Sequence, residues 1–582
     1  MKIETIRHSL AHILAYAVKE LYPEVKLGMG PDIENGFYYD FEFSKKKSLK
    51  PEDLSRVEEK MKELIKRDIK FVKKTISKNE AKKLFKDQPY KLELIKELTD
   101  KNVSIYISDG FIDLCKGPHI KNTKEISPDG FKLTKLAGAY WKGDEENTML
   151  TRIYGTAFNS KKELDDYLLA QIEAEKRDHR MLGQKMELFL INEEIGLGLP
   201  LWLPKGAVVR KAIEDYLYKE LTKEDYQWLY TPHIGSRKLW ETSGHWNFYN
   251  ENMYPPLEIG QNLEESQKGK VSEIKEEYLL KPMNCPFHAY VYNSKIRSYK
   301  DLPIKFAELG TVYRYEKSGT LHGLTRVRGF TQDDAHLICT PKQMPEEIEK
   351  LVRHALSMLK DFGFEEYNIY LSTRPKKYAG TLKKWEKATD TLKYVLRKLK
   401  LKYETDAGGG VFYGPKIDIK IKDSLSREWQ CTTIQFDFNL PEKFKMSYVN
   451  ERGKKEEPYM IHRALLGSME RFFGVLIESY AGALPFWLSP VQIEVIPVGA
   501  DHIKYAESIH EEFIKSGIRS ELNDKKETVS KKIREAEIQK IPYMIVVGDK
   551  EIKEGSIRIR EREKGDMGIT ELHDFIKRIK ME

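Results

Sequence analysis

The chain has 582 residues, too long for one hydrophobic core, which predicts about three or four domains. Hydrophobic residues make up 40% and charged residues 33%, and no run of about 18 apolar residues occurs, so we expect no membrane span. The net charge of +8 suits a polyanion such as RNA, but a lysine-rich composition gives the same surplus, so charge alone identifies no partner.

The amino terminus predicts an amphipathic helix, with the sequence MKIETIRHSLAHILAYAVKEL. It lacks the positive start, apolar core and small-residue cleavage site of a signal peptide. The four cysteines form no Cys-x-x-Cys pair, which argues against a disulfide framework. This cysteine pattern predicts a reducing, cytoplasmic location.

Residues 1–167 predict a first mixed unit, in which Pro51–Lys66 is helical and Val103–Ile107 is a strand. Residues 168–188 follow, with the sequence LLAQIEAEKRDHRMLGQKMEL. Their charges are dense and their apolar positions are too sparse for a buried helix. We therefore predict a solvated connecting helix.

Residues 189–485 predict a large central unit, because runs of β-branched and aromatic residues lie between Gly and Pro there. This pattern favours a mostly antiparallel sheet. Within the unit, Leu257–Lys275 is polar and predicts a surface insertion. Pro485 and Pro490 flank the boundary to the last unit.

Residues 486–582 alternate strand-like with helical runs, which predicts a small α/β domain. The strand-like runs are Gln492–Val498 and Tyr543–Val547, and the helical runs are Ala506–Lys515 and Val529–Gln539. The predicted fold class is therefore α+β with several domains.

Three distant stretches each contain a potential metal ligand. KPMNCPFH holds Cys285, RVRGFTQDDAH holds His336 and MIHRALLGSMER holds His462. One thiolate and two imidazoles suit zinc, and three protein ligands leave one coordination position open, as in working rather than structural zinc sites. Taken singly, each residue is better explained as a buried cysteine or a hydrogen-bonded histidine. The hypothesis is that a folded sheet brings the three together.

Two further pairs of potential ligands lie in residues 1–167. His8 and His12 are four residues apart and so share one face of a helix, and Cys115 and His119 repeat this spacing. Two such pairs could hold a metal. A single His-x-x-x-His pair is often only a helix surface, so the prediction of a site depends on both pairs.

Over nearly its whole length the chain resembles the threonyl-tRNA synthetase family of class II aminoacyl-tRNA synthetases. The resemblance rests on the stretches above and on TVYRYEKSG, WQCTTIQ, SGHWNFYNENMY, GAYWKGD and RIYGTAF. It implies ATP-dependent ligation of L-threonine to tRNA(Thr) through threonyl-adenylate, with hydrolytic editing of Ser-tRNA(Thr). The family's usual small amino-terminal domain is expected to be missing, because the chain opens almost directly on HSLAH.

The resemblance also implies domains, cofactors and partners. It implies an editing domain at residues 1–167 and a linker helix at 168–188. It further implies a class II antiparallel-sheet catalytic domain at 189–485 and an anticodon-binding domain at 486–582. One zinc per subunit is expected, together with magnesium bound to ATP. The first-motif stretch, which contains Pro232, builds a dimer interface in this family, so a homodimer is expected.

Site residues of the catalytic domain follow from the same resemblance. Zinc is assigned to Cys285, His336 and His462, and would hold the amino group and hydroxyl of threonine. The threonine-binding residues are Gln332, Asp334, Tyr413 and Arg314. The ATP-binding residues are Arg314, Glu316, Arg326, Gln430, Thr433 and Arg471. The catalytic residues are Arg314, Arg471 and His245, and His245 is placed to take a proton during transfer to the tRNA ribose.

A second, editing site is expected on energetic grounds as well. Serine keeps the hydroxyl that a zinc site recognises, and one missing methyl group changes binding by only about 1–3 kcal/mol. The residues implied for editing are His8, His12, Lys91, Asp113, Cys115 and His119. Participation of a metal is left open, and the resemblance favours its absence.

The stretch VVGDKEIKEGSIRIR matches the segment that contacts anticodon bases in the family, which makes Glu551 and Arg560 the candidates. An exposed hairpin with alternating charges is the alternative.

The sequence also departs from the family pattern. Phe287 and Thr432 replace glycines, and Tyr315 and Lys317 replace the common Asn and Pro. None of these changes removes a ligand or an arginine, so they bear on pocket shape more than on reaction type.

Competing functions predict different residues. An RNA-binding paralogue without activity would be expected to lose a metal ligand or an arginine, and a class II synthetase for proline or serine would not need the Cys/His/His set. Short matches to class I motifs occur at His233–Ser236 and Lys445–Ser447, but such matches arise often by chance and lack the flanking pattern.

Overall fold

The computed structural model describes residues 2–44, 49–259, 264, 267–268, 276–423 and 427–580. The chain divides into two compact units, Met1–Glu173 and Ala174–Glu582. Among the described residues, no helix is long and apolar enough to cross a membrane. The insertion predicted at Leu257–Lys275 begins with a strand, and most of the rest of it lies outside the described residues.

The first unit combines helices with two antiparallel sheets. Its helices are α1 (Ile3–Leu21), α2 (Leu54–Lys66), α3 (Lys78–Leu84), α4 (Pro89–Glu97) and most of α5 (Lys161–Arg177). Its strands are β1 (Lys26–Leu27), β2 (Asp32–Ile33), β3 (Gly36–Glu42), β4 (Val72–Ser77), β5 (Asn102–Ser108), β6 (Phe111–Leu114), β7 (Phe131–Tyr140) and β8 (Met149–Ala157). One sheet has the order β1-β3-β8-β7 with β2 paired to β3, and the other has the order β4-β5-β6.

Helix α1 confirms the predicted amino-terminal helix and is more deeply buried than an amphipathic surface helix. Every side chain from Leu10 to Val18 is buried, and these residues share one core with Phe37 of β3 and Met61 of α2. The helix predicted at Pro51–Lys66 is α2, preceded by a 3₁₀ turn. The central position of α1 places His8 and His12 inside the unit, next to the segment that follows β6.

The connecting helix predicted over 168–188 is wrong in its bounds and partly in its exposure. Helix α5 ends at Arg177, and a separate helix, α6 (His179–Lys185), follows. The Asp178 side chain accepts the N–H of Arg180 and caps α6. Most of α5 is not buried, whereas His179 and Leu182 on α6 are buried. A capping residue inside the charged segment starts the second helix, a feature that the spacing of apolar residues does not reveal.

The second unit holds most of the secondary structure. Its further helices are α7 (Pro204–Lys223), α8 (Lys238–Ser243), α9 (His245–Phe248), α10 (Cys285–Asn293), α11 (Met344–Asp361), α12 (Leu382–Lys398), α13 (Leu440–Lys443), α14 (Met469–Ser479), α15 (Ile503–Lys515), α16 (Val529–Ile538), α17 (Asp549–Glu554) and α18 (Leu572–Ile579). Its strands up to β19 are β9 (Phe189–Leu190), β10 (Leu201–Trp202), β11 (Gln227–Trp228), β12 (Ile234–Ser236), β13 (Leu257–Ile259), β14 (Glu276–Leu280), β15 (Arg297–Ser298), β16 (Ile304–Tyr313), β17 (Gly329–Cys339), β18 (Tyr367–Ser372) and β19 (Glu404–Asp406). The later strands are β20 (Lys416–Lys422), β21 (Glu428–Asp437), β22 (Tyr448–Val449), β23 (Lys455–Glu456), β24 (Tyr459–Ser468), β25 (Ile493–Pro497), β26 (Ser520–Leu522), β27 (Tyr543–Val547), β28 (Ile557–Glu561) and β29 (Gly565–Thr570).

An eight-stranded sheet forms the centre of this unit, in the order β11-β16-β17-β24-β21-β20-β18-β19. Only the two edge pairs, β11 with β16 and β18 with β19, are parallel. Alternation along β20 buries Ile417, Ile419 and Ile421 in a core shared with α11 and α12. The predicted, mostly antiparallel sheet is confirmed.

The carboxy-terminal residues form a five-stranded sheet in the order β26-β25-β27-β28-β29. Strand β25 is parallel to β26 and to β27, and the remaining pairs are antiparallel. Helices α15 and α16 coincide with the two helical runs predicted from the sequence. The predicted small α/β domain is therefore confirmed.

Candidate active site

Strand register assembles the metal site predicted from Cys285, His336 and His462. His336 on β17 pairs directly with His462 on β24, and Cys285 begins α10. Nε2 of His336 lies 2.9 Å from Nδ1 of His462, and one ligand atom from each of the three residues lies within 4.8 Å of the others. All three side chains are buried. Paired residues on neighbouring strands project to the same face, which is why these distant histidines meet.

Each imidazole has a second partner that fixes its orientation. Nε2 of His462 lies 2.8 Å from Oδ2 of Asp437, and Nδ1 of His336 lies 2.9 Å from Nδ1 of His288. Nε2 of His288 lies 3.1 Å from Oε2 of Glu308. Hydrogens then lie on Nε2 of His462 and Nδ1 of His336. The lone pairs of Nδ1 of His462 and Nε2 of His336 therefore face one another. Such outer partners are typical of metal-ligating histidines.

The electrostatics of the cluster fit a metal ion. Burial raises the pKa of the Cys285 thiol well above its usual value. Burial also lowers the pKa of His336 well below its usual value, with His462 and His288 adding to the effect. A neutral imidazole is the metal-binding form, and a buried thiol needs a nearby cation to lose its proton. The donor set and its outer partners therefore fit zinc.

A cavity of about 820 Å³ adjoins this cluster. Cavities of about 300–1,000 Å³ hold small-molecule ligands, so this one has room for an amino acid and a nucleotide. Its wall contains every residue that the sequence predicts for ligation. These are His245, Cys285, Arg314, Glu316, Arg326, Gln332, Asp334, His336, Tyr413, Gln430, Thr433, His462 and Arg471.

Polar groups lie next to the metal cluster in this wall. Gln332 and Asp334 are two residues apart on β17 and so project to the same face. Oδ2 of Asp334 accepts a hydrogen bond of 3.0 Å from Nδ2 of Asn284, which the sequence did not single out. The Tyr413 hydroxyl donates to Gln435. The Asp334 carboxylate is therefore held in place before any ligand binds.

Two arginines enter the cavity from different elements. Arg314 follows β16, and its Nε donates to the carbonyl of Pro282 at 3.2 Å. Arg471 lies in the first turn of α14, and its Nε donates to the carbonyl of Thr325 at 3.0 Å. Burial lowers the pKa of Arg471, so an anion bound in the cavity would stabilise its charged form.

The remaining predicted ATP-binding residues are held by carboxylates. Nε of Arg326 lies 3.0 Å from Oε2 of Glu316, so these two candidates form an ion pair. Oδ1 of Asp418 accepts hydrogen bonds from Nε2 of Gln430 at 2.7 Å and from the Thr433 hydroxyl at 3.0 Å. Asp418 is buried and fixes both side chains at the cavity wall.

His245 lies at the start of α9 and is buried. Its Nδ1 is 2.8 Å from the Ser243 hydroxyl, and its ring packs edge-on against Phe412. Burial, with contributions from His462 and Arg314, lowers the pKa of His245 to about 3. The imidazole is therefore neutral near pH 7, the form that can accept a proton.

Two departures from the family pattern are accommodated away from the cavity. Phe287 packs edge-on against Trp240 at a centroid distance of 6.0 Å, and a Cβ at Gly235 would lie only 2.8 Å from its ring. Thr432 is buried, and its hydroxyl donates to the carbonyl of Leu465 at 2.6 Å. Among the described residues, neither Phe287 nor Thr432 lines the cavity.

In the first unit, the two predicted ligand pairs meet. Sγ of Cys115 lies 3.3 Å from Nε2 of His8 and 3.3 Å from Nε2 of His119. The rings of His12 and His119 are 4.2 Å apart. Burial lowers the pKa of all three histidines, and mutual repulsion lowers the pKa of His12 and His119 further. The cluster is therefore made of neutral imidazoles.

A buried carboxylate lies behind this cluster. Nζ of Lys91 lies 2.5 Å from Oδ1 of Asp113, and the Tyr39 hydroxyl donates to Oδ2 of Asp113 at 2.6 Å. Nε2 of His12 is 3.7 Å from the same Oδ2 atom. The six residues predicted for editing therefore lie together, and Tyr39 joins them.

The two predicted anticodon residues differ in their surroundings. Glu551 is buried, and its Oε2 accepts the N–H of Gly548 at 2.9 Å, which caps α17. Arg560 lies on β28, half-buried, and its Nε has no hydrogen-bond partner among the described residues. Of the two, Arg560 is the more exposed and therefore the more accessible to a ligand.

Three protein-family models match the chain. A class II tRNA synthetase core domain (G, H, P, S and T) matches residues 267–480, and an anticodon binding domain matches 492–582. The second additional domain of threonyl and alanyl tRNA synthetases matches 103–154. A threonine–tRNA ligase of a Sulfurihydrogenibium species is 53% identical over 584 residues, covering 99% of this chain and 88% of the relative. The chain belongs to the threonine–tRNA ligase family.

Other family members agree with this assignment. The threonine–tRNA ligases of Aquifex aeolicus and Borreliella afzelii are 51% and 50% identical, covering 99% and 98% of this chain and 89% and 96% of their own lengths. A solved structure of the RNA binding domain of the Cryptosporidium parvum threonyl-tRNA synthetase is 37% identical with a TM-score of 0.64. It covers 69% of this chain and 98% of its own.

Several residues that support the sites were not predicted. They are Tyr39, Asn284, His288, Glu308, Asp418 and Asp437. His288 could have been found, because it follows the ligand Cys285 by three residues and so shares its helix face. The carboxylates lie on other strands, and the local sequence contains no signal that links them to the histidines.

Proposed function

We propose that this member of the threonine–tRNA ligase family ligates L-threonine to tRNA(Thr) with ATP through the residues of the central cavity, and edits Ser-tRNA(Thr) at the Cys/His cluster of the first unit. One observation carries the proposal. His336 and His462 pair beside Cys285 in the wall of a cavity that also holds Arg314 and Arg471. The same cavity thus combines a metal-binding donor set with cations for phosphate groups.

Threonine recognition follows from this donor set. Zinc held by these three residues would supply a Lewis acid for the amino group and the hydroxyl of threonine, and its coordination number would have to rise to accept both. Asp334, held by Asn284, accepts a hydrogen bond from the hydroxyl, and Gln332 and Tyr413 hold the amine. A ligand without the hydroxyl would leave the buried polar groups unpaired, so valine is rejected strongly.

Activation of threonine requires the phosphates of ATP to be neutralised and aligned. Arg314 binds the α-phosphate and the threonine carboxylate, and Arg471 binds the γ-phosphate, since guanidinium groups bind oxyanions through two hydrogen bonds. Glu316 contacts the adenine, with Arg326 beside it. Magnesium accompanies ATP. Most of the rate enhancement comes from in-line positioning and charge neutralisation, together with Gln430 and Thr433 lining the pocket.

Transfer to the tRNA needs an acceptor for the proton of the ribose hydroxyl. His245 lies in the cavity wall and is neutral near pH 7, so its lone pair is open to this proton. Its low pKa makes it a weak base in the empty cavity, and the negative charge of a bound phosphate would raise that pKa towards the working pH. Its Nδ1 contact with Ser243 leaves Nε2 for this step.

Editing is assigned to the neutral imidazole cluster of the first unit. His8, His12, Cys115 and His119 position water and the seryl ester. Asp113, anchored by Lys91 and Tyr39, keeps its carboxylate 3.7 Å from Nε2 of His12, where it would stabilise that ring when it takes up a proton during hydrolysis. Such a second site is required because the missing methyl group of serine changes binding by only about 1–3 kcal/mol.

We propose that each domain has its own role: residues 1–167 edit, 189–485 ligate and 486–582 bind the anticodon. The segment between the first two domains contains the end of α5 and α6 rather than one linker helix. Arg560 and Glu551 are proposed to contact the anticodon. A homodimer is proposed because the first-motif stretch, which contains Pro232, builds the dimer interface in this family, and Tyr230 beside it is 90% exposed in the single chain. A cytoplasmic location is supported by the four free cysteines.

Metal content combined with threonine-dependent pyrophosphate exchange tests the ligation site. The wild-type chain is expected to hold one zinc and to exchange pyrophosphate with threonine but not with proline or valine. Cys285→Ala should lose both zinc and exchange. Cys339→Ala is the matched control, because Cys339 is equally buried but lies outside the cavity wall. Full exchange by zinc-free Cys285→Ala would disprove the assignment, and two zinc ions per chain would place a metal in the editing cluster.

A further inference from the structure

His179 is wholly buried although it belongs to the charged connecting segment. Its Nδ1 lies 2.6 Å from Oε1 of Glu478, near the end of α14, and its Nε2 lies 2.9 Å from the backbone nitrogen of Leu324. The backbone N–H of Leu324 can only donate, so Nε2 carries the lone pair and Nδ1 carries the hydrogen. The tautomer of His179 is thus fixed by its partners.

The same partners exclude a metal role for this residue. Asp178, His179 and Glu478 bring potential ligand atoms within 4.8 Å of one another. A metal would need a free lone pair on His179, but Nδ1 donates to Glu478 and the lone pair of Nε2 accepts from Leu324. His179 therefore serves as a hydrogen-bonded link between α14 and the segment that contains Leu324.

Leu324 lies in the loop of residues 314–328, which joins β16 to β17. The next two residues, Thr325 and Arg326, line the ligation cavity. The Thr325 carbonyl accepts the hydrogen bond from Nε of Arg471 at 3.0 Å. The contact with His179 therefore lies one residue away from the group that holds Arg471.

Gly323 makes the approach of this loop to His179 possible. A Cβ at Gly323 would lie 2.0 Å from Nε2 of His179, and the φ angle of Gly323 is +49°. Any side chain here would push the loop away from the imidazole. The close contact thus depends on two residues, one on the connecting segment and one on the loop.

We propose that His179 is a positioning residue for ATP: it holds the loop segment 321–326 so that the Thr325 carbonyl and Arg326 keep their places at the cavity wall. This inference rests on the proposed function of that cavity. It assigns to the connecting segment a part in nucleotide binding, through Leu324 rather than through direct contact with the nucleotide.

Two amide substitutions separate the two hydrogen bonds of His179. In His179→Asn, the amide nitrogen replaces Nδ1 and keeps the bond to Glu478, but no acceptor remains for Leu324. In His179→Gln, the longer side chain brings an amide oxygen to the position of Nε2. One lost hydrogen bond, worth about 1.4 kcal/mol, corresponds to about a tenfold rise in the KM for ATP. We expect this rise in the Asn variant, with partial rescue in the Gln variant.

The measurement is pyrophosphate exchange in the full-length chain, with the KM values for ATP and threonine, zinc content and hydrogen exchange at the Leu324 amide. We expect the Asn variant to show a higher KM for ATP and faster exchange of the Leu324 amide, with zinc content and the KM for threonine retained. His354→Asn, a histidine on α11 outside the cavity wall, is the control. An unchanged KM for ATP in the Asn variant overturns the inference, as do equal losses in both variants.

Gly323→Ala provides an independent test if the Asn variant does not fold. Its Cβ would displace the loop, and the KM for ATP should rise while zinc content is retained. A wild-type KM for ATP in Gly323→Ala overturns the inference. Failure of the proposed function is distinguishable from these outcomes, because the wild-type chain itself would then show no threonine-dependent exchange.

Discussion

Asp437 determines which nitrogen of His462 can bind a metal. Its Oδ2 accepts from Nε2 of His462, while its Oδ1 accepts the N–H groups of Asn439 and Leu440. Asp437→Asn would leave the backbone contacts and place an NH₂ group opposite Nε2. The imidazole would then carry its hydrogen on Nδ1, the nitrogen that faces the metal position.

We therefore expect Asp437→Asn to lower zinc affinity by about 10–100-fold and to raise the KM for threonine. Chelator competition measures the zinc affinity, and pyrophosphate exchange measures the KM for threonine. Glu494→Gln, a buried carboxylate in the carboxy-terminal domain, is the control. Wild-type zinc affinity in Asp437→Asn would show that the carboxylate does not orient the ligand.

His245 makes the stability of the catalytic core depend on pH. Its pKa is about 3 in the folded chain and about 6.5 in the unfolded chain, so only the unfolded state takes up a proton as the pH falls below 6.5. Between pH 7 and pH 5 this costs the folded state about 2 kcal/mol. His245→Gln, which stays neutral, should lose about 2 kcal/mol less over the same range. Urea unfolding at both pH values measures the difference, and equal pH dependence in the two proteins contradicts it.

The candidate ligands could be predicted from the sequence, whereas the residues that orient them mostly could not. Cys285, His336 and His462 stand in recognisable stretches, and the structure brings them together. Asp437 and Glu308 have no local motif, because their contacts depend on which strands are neighbours and in what register. Strand order and register are set by the packing of the whole core, which a single sequence pattern does not determine.

At the level of elements, a β-bulge lies between β17, which carries His336, and the segment that leads into α14, which carries Arg471. The pairing of β17 with β24 shifts between Gln332 and Asp334. The Asp333 carboxylate accepts the N–H groups of Leu465, Leu466 and Gly467, at 2.7, 3.1 and 2.9 Å. Ser468 then caps α14, on which Arg471 lies. Asp333 therefore stabilises the bend that directs this helix towards the cavity.

Replacing Asp333 by Asn should disturb the nucleotide end of the cavity more than the metal end. The hydrogens of the amide NH₂ group would face backbone N–H groups that now lack an acceptor. The folded state would lose about 1–3 kcal/mol of stability. The pairing of His336 with His462 lies beyond the bulge, so zinc should remain bound. We expect the KM for ATP to rise about tenfold or more. Exchange kinetics with zinc analysis checks this, and loss of zinc at an unchanged KM for ATP contradicts it.

The connecting segment illustrates the limit of prediction for elements. Most of its residues are helical as expected, but they belong to two helices rather than one, and the charge density gives no sign of the cap at Asp178 or the burial of His179. A histidine with both ring nitrogens bonded can be buried within a polar stretch at little cost. Its partners, Glu478 and Leu324, are about 300 and 145 residues away, so only the fold reveals them.

At the level of the molecule, the two proposed sites lie in different compact units. The editing cluster lies in Met1–Glu173, and the metal cluster with its cavity lies in Ala174–Glu582. Both contain a cysteine and histidines, but only His12 is buried in the first cluster, whereas all three ligands are buried in the second, and the outer partners also differ. Asp437 and His288 fix lone pairs towards one point in the metal site, whereas Nδ1 of His12 has no hydrogen-bond partner among the described residues. Substitutions in one cluster should therefore leave the other reaction intact.

His12→Ala in the full-length chain tests this separation. Removing the imidazole next to Asp113 should lower the hydrolysis of Ser-tRNA(Thr) by about 100-fold or more, the usual contribution of a positioned acid–base group. Threonine-dependent pyrophosphate exchange and zinc content should stay at wild-type levels, so the variant should accumulate Ser-tRNA(Thr) when serine is supplied. His354→Ala is the control and should hydrolyse the mischarged tRNA at the wild-type rate. If His12→Ala edits normally, the cluster is not the editing site; if exchange falls as well, the two reactions are coupled.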